Sequence, residues 1–381
     1  MSELLDKYIA SIYLSSVGDQ FGFNNNVYII YKTAIKTNKP DYYDIVNGFT
    51  SNIIYKFIND GGFTNFNIKD YIHSYITYFH IDVIRGFENL ESDSDNKILY
   101  NNIVSNYISS YDNAKELKIQ YDDYTINILK NIKAKSVWEK FNYNINNKNI
   151  FTGTMCVGLV YHNKTDLNKL IETSIMITSI THQNCTSFIG GIIAALFTSY
   201  AINNIHIETW IFELIKLLES NIIDDIISKI KPKFIDFFKE AKKIYLHKLL
   251  TYIETSFDNS NYSIGQTRSV YAATRTTYYF ENFSDNKKIF YPGTNADDCI
   301  IIAYDCLLMS KDNFEKLMYT STKMIANTEA IGSLAAMWYG AYYGYKNIPY
   351  NIFNPSIKSM GEYTIFENLG INIYNKFTIN K

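Results

Sequence analysis

Cysteine is scarce in this 381-residue chain, which has four cysteines and no pair with the two-residue spacing of zinc sites. Cys156, Cys185, Cys299 and Cys306 all lie in apolar or helix-like surroundings. Histidine is scarce as well. His73 and His80 could share a helical face, but neither has a carboxylate at ligand spacing. We therefore expect buried free thiols, surface histidines and a reducing environment.

The chain also lacks an excess of charge of either sign. Its 36 basic and 38 acidic residues leave a net charge of −2, which is too small to attract nucleic acid or an anionic membrane. It shows no basic-then-apolar leader, and we find no uncharged apolar run of about 18 residues. A cytoplasmic protein is therefore expected, with no nucleic-acid partner and no membrane span.

Proline and glycine are few, at 5 and 17 residues, whereas hydrophobic residues make up 47% of the chain. Apolar residues recur at helical spacing over 4–17, 68–87, 97–110, 117–141 and 208–257, and GDQFGF is expected to end the first helix. Residues 190–202 and 332–344 carry small side chains at helical spacing, which is typical of closely packed core helices. These patterns predict one compact all-α domain with two buried central helices.

Two helical runs near the C-terminus, DCIIIAYDCLLMSKDNFEKL and AIGSLAAMWYGAYYGYKNIP, are joined by the loop MIANTEAIG. A loop that feeds a helix start has free backbone groups and a favourable helix dipole for holding a cation or a phosphate. Here that loop offers Asn327 and Glu329. It is the strongest candidate for a binding site in the sequence.

These C-terminal runs resemble the core of the ADP-ribosylglycohydrolases, the ADP-ribosylarginine hydrolases in particular. The resemblance extends over about residues 4–375 and includes Gly18-Asp19-x-x-Gly22, the anchor Met155-Cys156-Val157-Gly158-Leu159 and the turn Thr181-His182. It implies an all-α fold and hydrolysis of the N-glycosidic bond between ADP-ribose and protein arginine. It also implies a pair of Mg²⁺ ions, and ADP-ribose or an ADP-ribosylated protein as partner.

The metal motifs of the family are altered here. Its loop Gly-Gly-Asp-x-Asp-Ser/Thr corresponds to a segment in which Asn327 and Glu329 replace the aspartates and Ala330 replaces the hydroxyl. Its second motif, Ser-Asp-Asp-Thr at a helix start, corresponds to Asn47, Gly48 and Phe49 before a threonine. Because Gly and Phe offer no side-chain oxygen, the resemblance implies a degenerate site that has lost Mg²⁺.

The resemblance also marks residues that would contact the substrate: Asp19, His182, Gly293, Thr294 and Asp298. Asp19 has an alternative interpretation as a turn or capping residue, and His182 as a histidine bonded to neighbouring backbone at a helix start. The phosphate-binding segment before the Met-Cys anchor reads NINNKNIFTGT and keeps Gly153 as its only glycine. Loss of glycine there hinders close backbone approach to a diphosphate.

Three functions remain open from the sequence. The first is a degenerate family member with weak or no hydrolase activity. The second is a hydrolase rebuilt around Glu329 as catalytic group, with Asp298, Asp44 and Asp19, since a carboxylate pair can cleave glycosidic bonds without metal. The third is an interaction protein whose cleft is filled by Phe49 and tyrosines.

Overall fold

Helices make up nearly all of the regular secondary structure. The computed structural model describes residues 2–25, 42–59, 61–62, 71–90, 96–135, 148–257, 272–284, 291–352 and 361–379. Within these ranges there is no β-strand, and an antiparallel bridge joins Asn149 to Asn295. The predicted all-α fold is therefore confirmed.

The described residues form sixteen α-helices. In chain order they are α1 (Glu3–Phe23), α2 (Tyr42–Asn59), α3 (Tyr75–Glu88), α4 (Asn96–Asp112), α5 (Asp123–Lys135), α6 (Val157–Val160), α7 (Leu167–Thr181), α8 (Cys185–Ile202), α9 (Trp210–Glu219), α10 (Ile222–Ile230), α11 (Ile235–Ser256), α12 (Ala272–Phe283), α13 (Ala296–Ser310), α14 (Phe314–Thr322), α15 (Thr328–Tyr343) and α16 (Gly361–Tyr374). A 3₁₀ turn, Thr152–Cys156, leads into α6.

The pair α1 and α15 forms the centre of the fold. A Cβ atom added at Gly18 would lie 2.1 Å from the carbonyl oxygen of Gly332, and one added at Gly22 would lie 2.2 Å from that of Thr328. The two helices therefore run antiparallel with their backbones in contact, which only glycine permits at these positions. This contact explains why α1 continues through GDQFGF to Phe23, beyond the end expected from the sequence.

Helix α8 lies in the core beside this pair. Gly158 approaches it closely, since an added Cβ would lie 2.0 Å from the carbonyl oxygen of Ala195. With a mean hydropathy of 1.7 over 18 residues, α8 is long and apolar enough to cross a membrane, so the expectation that no such run exists is wrong. In the described part of the chain 94% of that run is buried by protein. Both predicted central helices, α8 and α15, are confirmed as buried.

Of the other sequence expectations, one is confirmed and several are wrong. All four cysteines are buried and free, as predicted. His80 is buried, not exposed. The run after Asp298 is two helices, because Lys311 adopts a left-handed conformation (φ 52°) that ends α13. Helix α5 begins at Asp123, six residues later than the 117–141 pattern predicted, and residues 136–141 lie outside the described ranges.

Candidate functional site

The carboxylate of Asp19 anchors the start of α3. Asp19 is fully buried within α1, and its oxygens accept hydrogen bonds from the Ser74 amide (2.9 Å), the Ser74 hydroxyl (2.6 Å) and the Thr77 hydroxyl (2.6 Å). Burial raises the pKa of this carboxyl, and nearby His73 and the three hydrogen bonds oppose the rise. Three of its roughly four acceptor positions are thus occupied. Asp19 therefore caps α3, although the residue itself lies in α1.

Glu329 lies in the first turn of α15, next to Asp19. Its side chain is half-buried, and burial together with the charge of Asp19 raises its pKa to about 7, against the lowering effect of a backbone N–H in the helix start. A carboxyl group that titrates near neutral pH can both give and take a proton under physiological conditions. Glu329, the catalytic candidate from the sequence, therefore has a suitable electrostatic environment.

Tyr75 and Asp122 also belong to this site and were missed in the sequence. Tyr75 is the first residue of α3, and burial, followed by the charge of Asp122 and a hydrogen bond to it, raises its pKa well above 10. Glu329 contributes to the same rise. Asp122 caps α5 by accepting a hydrogen bond from the Thr125 amide at 2.6 Å. The capping pattern was visible in the sequence, but the proximity to Glu329 is a tertiary contact.

His182 directly follows α7 and lies near Asp122. Its Nδ1 is 2.9 Å from the Thr181 hydroxyl, and its ring packs 5.8 Å from the Tyr124 ring and 5.7 Å from that of Phe151. Burial lowers its pKa to about 4, so the imidazole is neutral at neutral pH. Its bonded neighbour is a side chain and not the backbone group considered from the sequence.

The 291–298 loop lies against the start of α15. The Asn327 amide donates to the Pro292 carbonyl at 3.0 Å, and the Gly293 amide donates to the Asp298 carboxylate at 3.0 Å. Gly293 has φ +85°, a conformation that favours glycine. Asp298 is fully buried and anchors the loop, whereas Thr294 is half-buried and more accessible.

A buried ion pair stabilises the end of this loop, where α13 begins. The Lys248 ammonium lies 2.7 Å from the Asp297 carboxylate, and both side chains are less than 10% exposed. Asp297 also accepts a hydrogen bond from the Asp298 amide at 2.9 Å. Lys248 on α11 thereby fixes two consecutive aspartates at the start of α13.

The residues assigned to the second metal motif do not open a helix. Asn47, Gly48 and Phe49 lie inside α2, where the first two are exposed and Phe49 packs with Ile325 and Tyr291. The expectation that they begin a helix is therefore wrong. Asp19 instead contacts the start of α3, through its hydrogen bonds with Ser74.

The segment before the Met-Cys anchor is described only from Lys148 onward, so residues 144–147 lie outside the described ranges. Gly153 is buried, and an added Cβ would lie 2.6 Å from the Phe151 ring. Since that ring also packs on His182, Phe151 occupies space between the glycine and the histidine. Asp44 lies in α2, but its side chain is outside the described set.

Among the described residues, the donor set around Glu329 does not fit a pair of Mg²⁺ ions. Mg²⁺ requires about six oxygen ligands each in near-octahedral geometry, usually with carboxylates among them. Here Asp19 already accepts three hydrogen bonds, Asn327 offers an amide and Ala330 offers no side-chain donor. Across the described ranges no three His, Cys, Asp or Glu side chains are grouped so that they could hold a metal ion.

Comparison with known proteins agrees with the fold. The family model described as ADP-ribosylglycohydrolase matches residues 1–356. A protein named ADP-ribosyl glycohydrolase L444, from Acanthamoeba polyphaga mimivirus, is 29% identical over 343 residues, which cover 88% of this chain. This chain spans 63% of that relative's length.

A second relative is matched over most of both chains. ADP-ribosylhydrolase ARH1 of Dictyostelium discoideum is 24% identical over 358 residues, covering 88% of this chain and 86% of its own. A solved structure of an ADP-ribosylglycohydrolase-related protein complex superposes with a TM-score of 0.56 at 12% identity. It covers 98% of this chain and 99% of its own, and at that identity it supports the fold alone.

Proposed function

The chain belongs to the ADP-ribosylglycohydrolase family, and we propose that it binds the ADP-ribosyl group beside Glu329 but cleaves the bond to arginine weakly or not at all. The observation that carries this proposal is the donor set around Glu329. Asp19 is engaged by Ser74 and Thr77, and the α3 start that it meets presents His73, Ser74 and Tyr75 in place of acids. This arrangement of the described residues supports the loss of the family's metal pair.

The substrate class follows from family membership and from the polar groups that line the site. The relative named ARH1 supports an ADP-ribosylated protein or ADP-ribose itself as the bound partner. The neutral imidazole of His182 and the hydroxyl of the half-buried Thr294 are hydrogen-bonding groups of the kind that ribose hydroxyls need. Tyr124 and Phe151 add aromatic surface beside His182.

The expected loss of rate can be stated as an order of magnitude. Metal ions that orient a substrate and stabilise developing charge supply several kcal/mol of barrier reduction. Each 1.36 kcal/mol corresponds to a factor of ten, so losing about 4 kcal/mol lowers turnover roughly a thousandfold. We therefore propose negligible release of ADP-ribose from arginine by this chain.

A second candidate is metal-independent hydrolysis with Glu329 as general acid or base. One observation favours it, namely the pKa of about 7 that burial gives this carboxyl. Asp19 and Asp298 are unsuited as its partner, because they cap α3 and anchor the 291–298 loop. Asp122, which contacts Tyr75 and influences His182, is the better placed carboxylate.

Two measurements separate these candidates. Calorimetric titration with ADP-ribose, with and without Mg²⁺, should show binding that Mg²⁺ does not strengthen. Single-turnover release of ADP-ribose from an ADP-ribosylated arginine peptide should be negligible. Binding or turnover that requires Mg²⁺ would overturn the proposal, as would an absence of ADP-ribose binding.

Cleavage without metal would favour the second candidate if Glu329→Gln abolishes it. Glu254→Gln is the matched control, because Glu254 is an exposed carboxylate on α11 away from the site. Under the second candidate the pH dependence of cleavage should show a transition near 7, the pKa of Glu329.

A further inference from the structure

A cavity of about 430 Å³ lies at the C-terminal end of α15, within the range of about 300–1,000 Å³ that ligand pockets occupy. Its walls come from the first turn of α1, from Asn204 after α8, and from the end of α15. Tyr343 lies fourteen residues after Glu329 on α15, which is about 21 Å at 1.5 Å per residue. The cavity is therefore separate from the candidate functional site.

Two tyrosine rings form a corner in the wall of this cavity. Tyr342 and Tyr343 are half-buried, their ring centroids are 4.7 Å apart, and their planes are inclined at 74°. Burial, followed by the neighbouring Tyr342 and Asp312, raises the pKa of Tyr343 to about 12, so its ring is a neutral phenol at neutral pH. Aromatic faces carry partial negative charge and attract cations within about 6 Å of the ring centre. Two faces near a right angle can both contact one compact cation.

A carboxylate without a cation of its own lines the same cavity. Asp6, in the first turn of α1, is half-buried, and its carboxylate forms no hydrogen bond or ion pair with any residue that the structure describes. The two ammonium groups in the wall are engaged by other residues. Lys7 donates to the Asn204 side-chain oxygen at 2.5 Å, and the Lys346 ammonium lies 2.9 Å from the Asp312 carboxylate. Asp6 is thus available to a cationic donor on a ligand.

Two core helices end at the cavity and add negative potential to it. Gly344 caps α15 with φ +61°, and Asn204 follows the end of α8 with φ +56°. The C-terminal end of a helix carries partial negative charge and favours a nearby cation. Lys7 offsets part of this potential, and Glu3, 3.6 Å from its ammonium, reduces that effect. The helix ends and Asp6 together favour a positively charged ligand.

We propose that this cavity binds a primary alkylammonium group, the chemistry shared by a lysine side chain and a small diamine. The ammonium lies between the Tyr342 and Tyr343 rings and donates to the Asp6 carboxylate. The corner of two rings favours a compact cation over a planar guanidinium, which stacks on one face. The carboxylate favours a cation with N–H groups over a quaternary one. Because the cavity is remote from Glu329, such binding is independent of the ADP-ribosyl function.

The test is ligand-detected NMR titration of the full chain with n-butylammonium. This probe should bind roughly tenfold more tightly than tetramethylammonium, which has no N–H group to donate to Asp6. The uncharged analogue n-butanol should not bind. N-acetyl-lysine methylamide and putrescine then distinguish the two sources, since the source is the one of the two that binds more tightly. If n-butylammonium fails to bind at millimolar concentration, or if n-butanol binds equally well, the proposal is overturned.

Substitutions on α1 and α15 identify the site. Asp6→Asn should weaken n-butylammonium binding roughly tenfold, because the charged acceptor is lost. Asp225→Asn is the matched control, since it removes an exposed acid from the first turn of α10 and should leave binding unchanged. Tyr342→Leu should weaken binding roughly threefold or more, whereas Tyr342→Phe keeps the ring face and should not. The proposal is overturned if binding survives both Asp6→Asn and Tyr342→Leu, or if Asp225→Asn weakens it as much as Asp6→Asn does.

Discussion

Replacing Glu329 by glutamine should make the protein more stable at alkaline pH and change nothing at acid pH. Burial and the neighbouring charge of Asp19 raise the pKa of Glu329 in the folded chain from 4.5 to about 7. The ionised side chain is therefore unfavourable in the fold. Glutamine keeps the shape of the protonated form and carries no charge.

The magnitude follows from the difference between the two pKa values. A shift from 4.5 to about 7 is about 2.5 units, or about 3.4 kcal/mol at 1.36 kcal/mol per unit. Because the side chain is half-buried, solvent screening reduces this to about 2 kcal/mol. The folded pKa is the higher one, so the contribution to stability is fully present below about pH 4.5 and is lost as the pH rises through 7.

The assay is urea unfolding of the natural chain and Glu329→Gln between pH 4.5 and 8.5. The free energies of unfolding should agree at pH 4.5 and differ by about 2 kcal/mol at pH 8.5, with glutamine the more stable. His80 and His182, whose pKa values burial lowers, act in the opposite direction. They are common to both proteins and cancel in the comparison.

Glu254→Gln again serves as the control for removing an exposed carboxylate. A constant difference across this pH range would refute the reasoning, because it would mean that Glu329 titrates alike in the folded and unfolded chains. A natural chain that is more stable than Glu329→Gln at pH 8.5 would refute it too, since the ionised carboxylate would then be favourable.

Three further substitutions, at Gly18, Gly48 and Lys248, test the helix packing and the buried ion pair. Gly18→Ala should lower the free energy of unfolding by about 1–3 kcal/mol or more, because the new methyl would lie 2.1 Å from the Gly332 carbonyl oxygen. Gly48→Ala, with no atom within 4 Å of the added methyl, should instead stabilise α2 by about 0.5–1 kcal/mol in thermal unfolding. Lys248→Met should cost about 3–5 kcal/mol by leaving Asp297 buried without its cation, and adding Asp297→Leu should restore most of that stability in urea unfolding.

The fold could be predicted because its main contacts leave a pattern in the sequence. Small residues at helical spacing in α8 and α15 are needed wherever two helix backbones touch, and the Gly18–Gly332 contact is one instance. The end of α1 could not be predicted in this way. Gly18 and Gly22 look like a helix stop in isolation, and only the presence of α15 across from them makes them helical.

The candidate site was predictable only in part. Glu329 and Asn327 were found because a loop that feeds a helix is a local pattern. Asp19 was found, but its hydrogen bonds join positions 55 and 58 residues apart, a distance that no periodicity reveals. The proximity of Tyr75 and Asp122 to Glu329 could not be predicted for the same reason, since each has the local sequence of an ordinary residue at a helix start.

The last prediction distinguishes the two positions considered for the missing metal ligands. Ser74→Asp would put a second carboxylate against Asp19, near Glu329, and the like charges should destabilise the chain until Mn²⁺ is added. A cation at about 100 times its dissociation constant should then stabilise the variant by about 2.7 kcal/mol, which thermal unfolding detects. Gly48→Asp combined with Phe49→Asp is the matched control and should show no effect of Mn²⁺, because position 48 is exposed within α2. If Mn²⁺ stabilises the control and not Ser74→Asp, then α2 and not α3 supplies the metal ligands at this site.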